Sequence, residues 1–104
     1  MGHMRFNVNL TRTIYDGNSI ATATQFAVML RSIELPFPPT VGLQLFFVKP
    51  ETITKVIWYV EKELFACAIE DYFSEAFPNR VSFDEKINVD ELQGFKKIDQ
   101  GKLK

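Results

Sequence analysis

Few residues in this chain have types suited to chemistry, and their spacing works against it. Cys67 is the only cysteine and His3 the only histidine. His3 belongs to an opening Met1-Gly2-His3-Met4 that reads as an expression remnant, with the natural chain starting at Met4. Without His3, catalysis by an imidazole base, Ser/His and Cys/His nucleophile pairs, and most zinc sites lack their ligands and bases. Cys67 stands between alanines in "FACAI". A strand there supplies neither a cationic neighbour nor a helix N-terminus to favour a thiolate, so it reads as a buried, inert thiol.

The acidic pairs Glu70-Asp71, Asp84-Glu85 and Asp90-Glu91 are the remaining candidates for acid/base work. Neighbours on a strand point to opposite faces, so Glu70 and Asp71 cannot share a substrate, and the other pairs fall in polar segments. No spaced Asp/Asn/Gly loop suggests calcium. The reading is therefore no catalytic residue, no metal and no cofactor, with an enzyme ranked last among the functions. Pro36-Phe37-Pro38-Pro39 contains a PxxP pattern that aromatic-lined grooves can recognise, but strand patterns abut it on both sides, which favours a rigid corner over a docking peptide.

Aromatic side chains are the one abundant resource, with Phe alone at 10 of 104 residues. Phe37, Phe46, Tyr59 and Tyr72 are the candidates for a partner or ligand surface. Tyr59 and Phe46 fall on faces opposite their neighbours Trp58 and Phe47, so aromatics occupy both sides of the sheet. One short helix cannot cover both, and the leftover apolar face points to burial against another subunit or partner.

The elements that must position these residues follow from periodicity. "RFNVNLTRTIY" (5–15) alternates, with Phe6, Val8, Leu10 and Ile14 on one face and Asn7, Asn9, Thr11 and Thr13 on the other, which is a half-buried strand. Asp16-Gly17-Asn18 signals a turn, and Ser19 to Ile33 reads as the return strand of a hairpin. A three-residue loop would set Phe6 and Val8 opposite Val28 and Phe26. Prolines must break the sheet at 35–39, and "TVGLQLFFV" (40–48) resumes a strand. "TITKVIWYVEKELFACAIEDYF" reads as a second hairpin turning at Lys62-Glu63, pairing Val60 with Phe65, Trp58 with Cys67 and Lys55 with Glu70; residues 61–76 also have helix formers. Asn88 can cap a short helix "VDELQGF" that ends near Gly94, and the basic tail "KKIDQGKLK" reads as frayed.

The expected fold is thus α+β and mainly β. It is a single domain over 4–104, with an antiparallel sheet of about five strands built from two hairpins and a short C-terminal helix. A formal net charge of −1 gives no field for a phosphate backbone, so nucleic acid is not an expected partner. No apolar run approaches a membrane span, and a lone cysteine fits a reducing cytoplasm. The favoured function is a non-enzymatic interaction or self-associating domain, a homo-oligomer or the binder of a protein partner. The alternative is a small-molecule-binding domain with an aromatic-lined apolar cavity.

Overall fold

A computed structural model describes residues 4–78 and 80–103, so the expected remnant Met1-Gly2-His3 lies outside the described residues. The chain is mainly β with one short helix. The strands are β1 (Phe6–Tyr15), β2 (Gln25–Leu35), β3 (Gln44–Phe46), β4 (Pro50–Tyr59), β5 (Leu64–Ile69), β6 (Tyr72–Phe73) and β7 (Lys96–Lys102); helix α1 (Phe83–Leu92) precedes β7. The sheet has 7 strands in the order β3-β4-β5-β1-β2-β7, with β6 also pairing β1. Two compact units divide the chain, Met1–Thr11 with Arg31–Glu70 and Arg12–Leu30 with Asp71–Lys104.

In the first unit β4 and β5 form the second expected hairpin, paired Tyr59↔Leu64, Trp58↔Phe65, Val56↔Cys67 and Lys55↔Ala68, with a bulge between Ile53 and Lys55. This register is shifted by two residues from the expected one. Each side chain therefore keeps its face, because the pleat repeats every two residues, but Lys55 meets Ala68 instead of Glu70. The helical alternative for 61–76 is not adopted. β5 runs parallel to β1, with Val8↔Phe65 and Leu10↔Cys67. Val8, Leu10, Leu35, Ile53, Cys67 and Ile69 form the buried core of this unit. β3 is shorter than the expected 40–48 strand, because Leu43 N–H bonds Thr40 C=O and Gly42 turns the chain at φ 92°. The chain leaves the sheet at Pro36 to Pro39, as the prolines require, and Pro39 is buried while Pro36 and Pro38 are exposed.

In the second unit β6 runs parallel to β1, with Ile14↔Tyr72, and β7 pairs antiparallel with β2, from Gln25↔Lys102 to Leu30↔Lys96, across a bulge at Val28/Met29. The tail expected to fray is thus a strand. Its charged side chains mark an edge, where one row of backbone bonds suffices. β2 starts only at Gln25 because polar side chains hold residues 16–24 in a longer connection. The Asp16 carboxylate accepts from Thr24 N–H at 2.7 Å, from the Thr24 hydroxyl and from Gln25 N–H at 3.2 Å. Gly17 allows the close approach, since a Cβ there would meet Ala23 N at 2.7 Å. The three-residue loop is therefore corrected to a connection over residues 16–24.

Helix α1 starts at Phe83, not after Asn88. Ser82 caps it by accepting from Glu85 N–H at 3.3 Å, with Asp84 and Glu85 in the first turn. Gly94, expected near the helix end, takes φ 88°; Gly94 N–H bonds Glu91 C=O and Phe95 N–H bonds Asp90 C=O, a Schellman ending. The antiparallel five-strand expectation becomes a mixed seven-strand sheet. Alternation in a sequence reports which face a residue takes, and is silent on whether the neighbouring strand runs with or against it.

Candidate functional site

The far end of the β4–β5 hairpin leaves large side chains in solvent on both of its faces. Trp58 is 46% exposed, Tyr59 46%, Ile57 39% and Val60 73%. Neighbouring strand residues point to opposite sides, so Trp58 lies on one face while Ile57 and Tyr59 lie on the other. The Trp58 ring packs 4.7 Å from Phe65 at 52°, and Phe65 lies 6.1 Å from Phe6, so an aromatic row crosses β4, β5 and β1. Arg5, Phe6, Asn7, Trp58, Val60 and Glu63 line a depression beside this row that opens broadly to solvent. A second open depression on the hairpin runs from Ile57 to Lys62.

The four sequence candidates do not converge. Phe37 is 45% exposed in the proline corner, and Phe46 73% exposed on β3. Phe46 pairs with Pro50 at the other end of β4, which at ~3.3 Å per residue sets it roughly 30 Å along the strand from Tyr59. Tyr72 is only 4% exposed and belongs to the second unit's interior, so it presents no surface to a partner. Its hydroxyl donates to Val81 C=O at 2.7 Å. Burial pushes the Tyr72 phenol up; Arg80 opposes that and Glu85 and Asp90 add to it.

That interior holds a cluster that period-two reading passed over. Arg12 follows Val8 and Leu10 in phase on the core face of β1, and its Nε lies 3.3 Å from Asp90 Oδ2. Lys86 Nζ, one helical turn from Asp90, lies 3.0 Å from Oδ1. Arg12, Lys86 and Asp90 are exposed by 3%, 4% and 0%. The Arg12 guanidinium also stands 5.9 Å over the Phe95 ring, and Lys86 5.0 Å over Tyr72. A charged residue in register with an apolar face was the available signal, as was Ser82-Phe83-Asp84-Glu85, a capping-box pattern that would have moved the helix start.

No protein-family model, curated protein or solved structure matches this chain. Function has to be read from these two places in the structure. In the buried cluster each Asp90 oxygen already faces a cation, so the carboxylate serves to join α1 to β1 and has no opening toward a substrate. Asp71 is the other carboxyl near Arg12: burial raises its pKa, against a hydrogen bond from Thr13 N–H and the Arg12 charge. Cys67 is 1% exposed, and burial raises its thiol pKa, which disfavours the nucleophilic thiolate. Among the described residues no group of three or more His, Cys, Asp or Glu is placed to hold a metal ion, and no helix is long and apolar enough to cross a membrane. The hairpin end is the part of the molecule whose chemistry is left open.

Proposed function

We propose that the chain is a non-enzymatic protein-interaction domain, acting in the cytoplasm, that works through the end of the β4–β5 hairpin. The observation carrying this reading is the exposure of Trp58 and Tyr59 on opposite faces of one strand. A monomer stabilised for its own sake would bury at least one of these rings, since each offers on the order of 150–250 Å² of surface worth about 25 cal/mol per Å². Aromatic residues ringed by polar ones are what dominates protein interfaces. Here Arg5, Lys62, Glu61 and Glu63 form such a rim. The open depressions favour this over the small-molecule alternative, which needs an enclosed apolar cavity. A net charge of −1 also leaves nucleic acid without an electrostatic reason to bind.

The test uses immobilised protein in native host extract. Wild type is expected to retain a polypeptide at fixed stoichiometry that Trp58→Ser and Tyr59→Ser both lose while keeping the wild-type melting midpoint within a few degrees. Retention indifferent to both substitutions overturns the reading. Stoichiometric capture of a small apolar molecule by wild type and both variants alike favours the ligand-binding alternative.

A further inference from the structure

Resting on the reading of this hairpin as an interaction surface, we infer that its occupant is a second copy of the chain, added edge to edge along β4 in an antiparallel two-fold dimer. The outer edge of β4 is covered only at its start. β3 pairs with Pro50 to Thr52, and Ile53 exchanges backbone bonds with Gly42 and Leu43 at 2.8 Å each. Beyond that, Lys55 to Tyr59 pair with β5 on one side, and among the described residues no strand pairs with the other. An open strand edge is a template for another strand, and soluble proteins blunt it with proline, a bulge or lysine. β4 has all three at or just past its covered start: Pro50, the bulge between Ile53 and Lys55, and Lys55 itself. From Val56 to its end at Tyr59 it has none, although Ile57, Trp58 and Tyr59 are exposed here on both faces.

The sequence along that edge is self-complementary. Lys55-Val56-Ile57-Trp58-Tyr59-Val60-Glu61, the open end of β4 with the first two residues of the turn that follows it, carries its charges at equal distances on either side of Trp58 and opposite in sign. A closed two-fold pairing of two such edges must be antiparallel, because the axis reverses the strand direction. With the axis at Trp58, Lys55 lies opposite the partner's Glu61, Val56 opposite the partner's Val60, Ile57 opposite the partner's Tyr59, and the two Trp58 rings meet. Residues directly opposite in an antiparallel pair share a face, so apolar meets apolar on both faces and each end closes with an opposite-charge pair. Lys55 and Glu61 are both exposed, and neither forms an ion pair among the described residues. A pairing shifted by one residue would set Lys55 opposite the partner's Val60 and leave all the charges unmatched.

Sedimentation of purified protein at tens of micromolar tests this with wild type, Lys55→Glu, Glu61→Lys and the double exchange. Wild type is expected at twice the chain mass. Each single variant sets like charges opposite at both ends of the pairing, and dissociation should strengthen about tenfold or more. The double variant restores both pairs and should recover the dimer, which also shows that the single variants had not simply misfolded. A monomeric wild type, or a dimer indifferent to all the exchanges, overturns the inference. That failure is separate from failure of the interaction reading, which is decided by whether Trp58→Ser and Tyr59→Ser lose a partner from host extract. A monomer that retains a different protein through those two residues refutes self-pairing and leaves the interaction surface standing.

Discussion

Replacing Asp90 with Asn should cost more stability than removing either cation it binds. The ordering comes from counting buried charge. Asp90 is 0% exposed with Arg12 Nε at 3.3 Å and Lys86 Nζ at 3.0 Å. Asp90→Asn keeps shape and volume but leaves both cations buried without the carboxylate they share, while the Asp71 carboxylate stays near Arg12. Breaking a buried ion pair from one side costs about 3–5 kcal/mol, and Asp90→Asn breaks two at once, so the upper end applies. For a domain of this size that is roughly 15–25 °C in Tm. Arg12→Met and Lys86→Met each leave a neutral pair behind and should cost less, about 1–3 kcal/mol. The triple variant Arg12→Met, Lys86→Met, Asp90→Leu removes all three charges of the cluster, leaves only Asp71 without the Arg12 charge, and should lie within about 2 kcal/mol of wild type on either side. Urea unfolding followed by far-ultraviolet circular dichroism gives the free energies, and the slope checks that each variant unfolds from the same compact state. The reasoning is refuted if Asp90→Asn is the mildest of the single changes, or if the triple variant is less stable than Asp90→Asn.

Two further outcomes follow from the connections. Burial acts upward on the Asp16 carboxyl, but the hydrogen bonds from Thr24 and Gln25 outweigh it and hold its pKa below the ordinary Asp value. A carboxyl depressed on folding contributes stability that is present above the unfolded value of about 3.9 and is lost as pH falls through the folded value. The stability gap between wild type and Asp16→Ala should therefore be widest near neutral pH and narrow in acid, and a gap independent of pH in urea titrations would contradict this. At the corner, Pro39→Ala should lower stability by about 0.5–2 kcal/mol through unfolded-chain entropy and lost packing, while exposed Pro36→Ala should change it by less than about 0.5 kcal/mol. Equal effects in thermal denaturation would remove the case for Pro39 as the anchored end of the corner.

What could be read from the sequence was face and breakpoint. Val8, Leu10 and Ile14 are buried as their alternation requires, the sheet breaks at the prolines, and the second hairpin folds with each residue on its expected side. Partner and direction were not legible. β1 is flanked by β5 and β6 running parallel to it, and nothing in its own alternation distinguishes that from an antiparallel neighbour. β2 starts later than its composition suggests because Asp16 accepts from Thr24 and Gln25 while Thr22 accepts from Ser19 N–H and donates to Asn18 Oδ1, a local competition that β-branched composition conceals. Arg12 shares the phase of Val8 and Leu10, and a charge in phase with buried neighbours marks a place where an opposite charge must arrive from elsewhere in the chain.

The segments "QFAVML" and "VIWYV" are both apolar on both faces, and their contrasting fates show where pattern reading ends. "QFAVML" lies in β2 with β1 on one side and β7 on the other, so both backbone edges are bonded, and Ala27 and Met29 are wholly buried. "VIWYV" closes β4 and enters the turn after it, with β5 on one side and no strand on the other among the described residues, and four of its five residues are exposed. Apolar side chains on alternating faces are required of a central strand and equally of an edge that another chain completes, so composition cannot separate the two. The flanks can. "QFAVML" is followed by Arg31, whose guanidinium stands 4.9 Å over the Phe47 ring within its own unit. "VIWYV" is bracketed by Lys55 and Glu61, opposite charges equidistant from its centre, which form no ion pair among the described residues and match when two copies are opposed. A central strand has no reason to carry that symmetry, because its neighbours are different sequences. An edge that meets its own copy does.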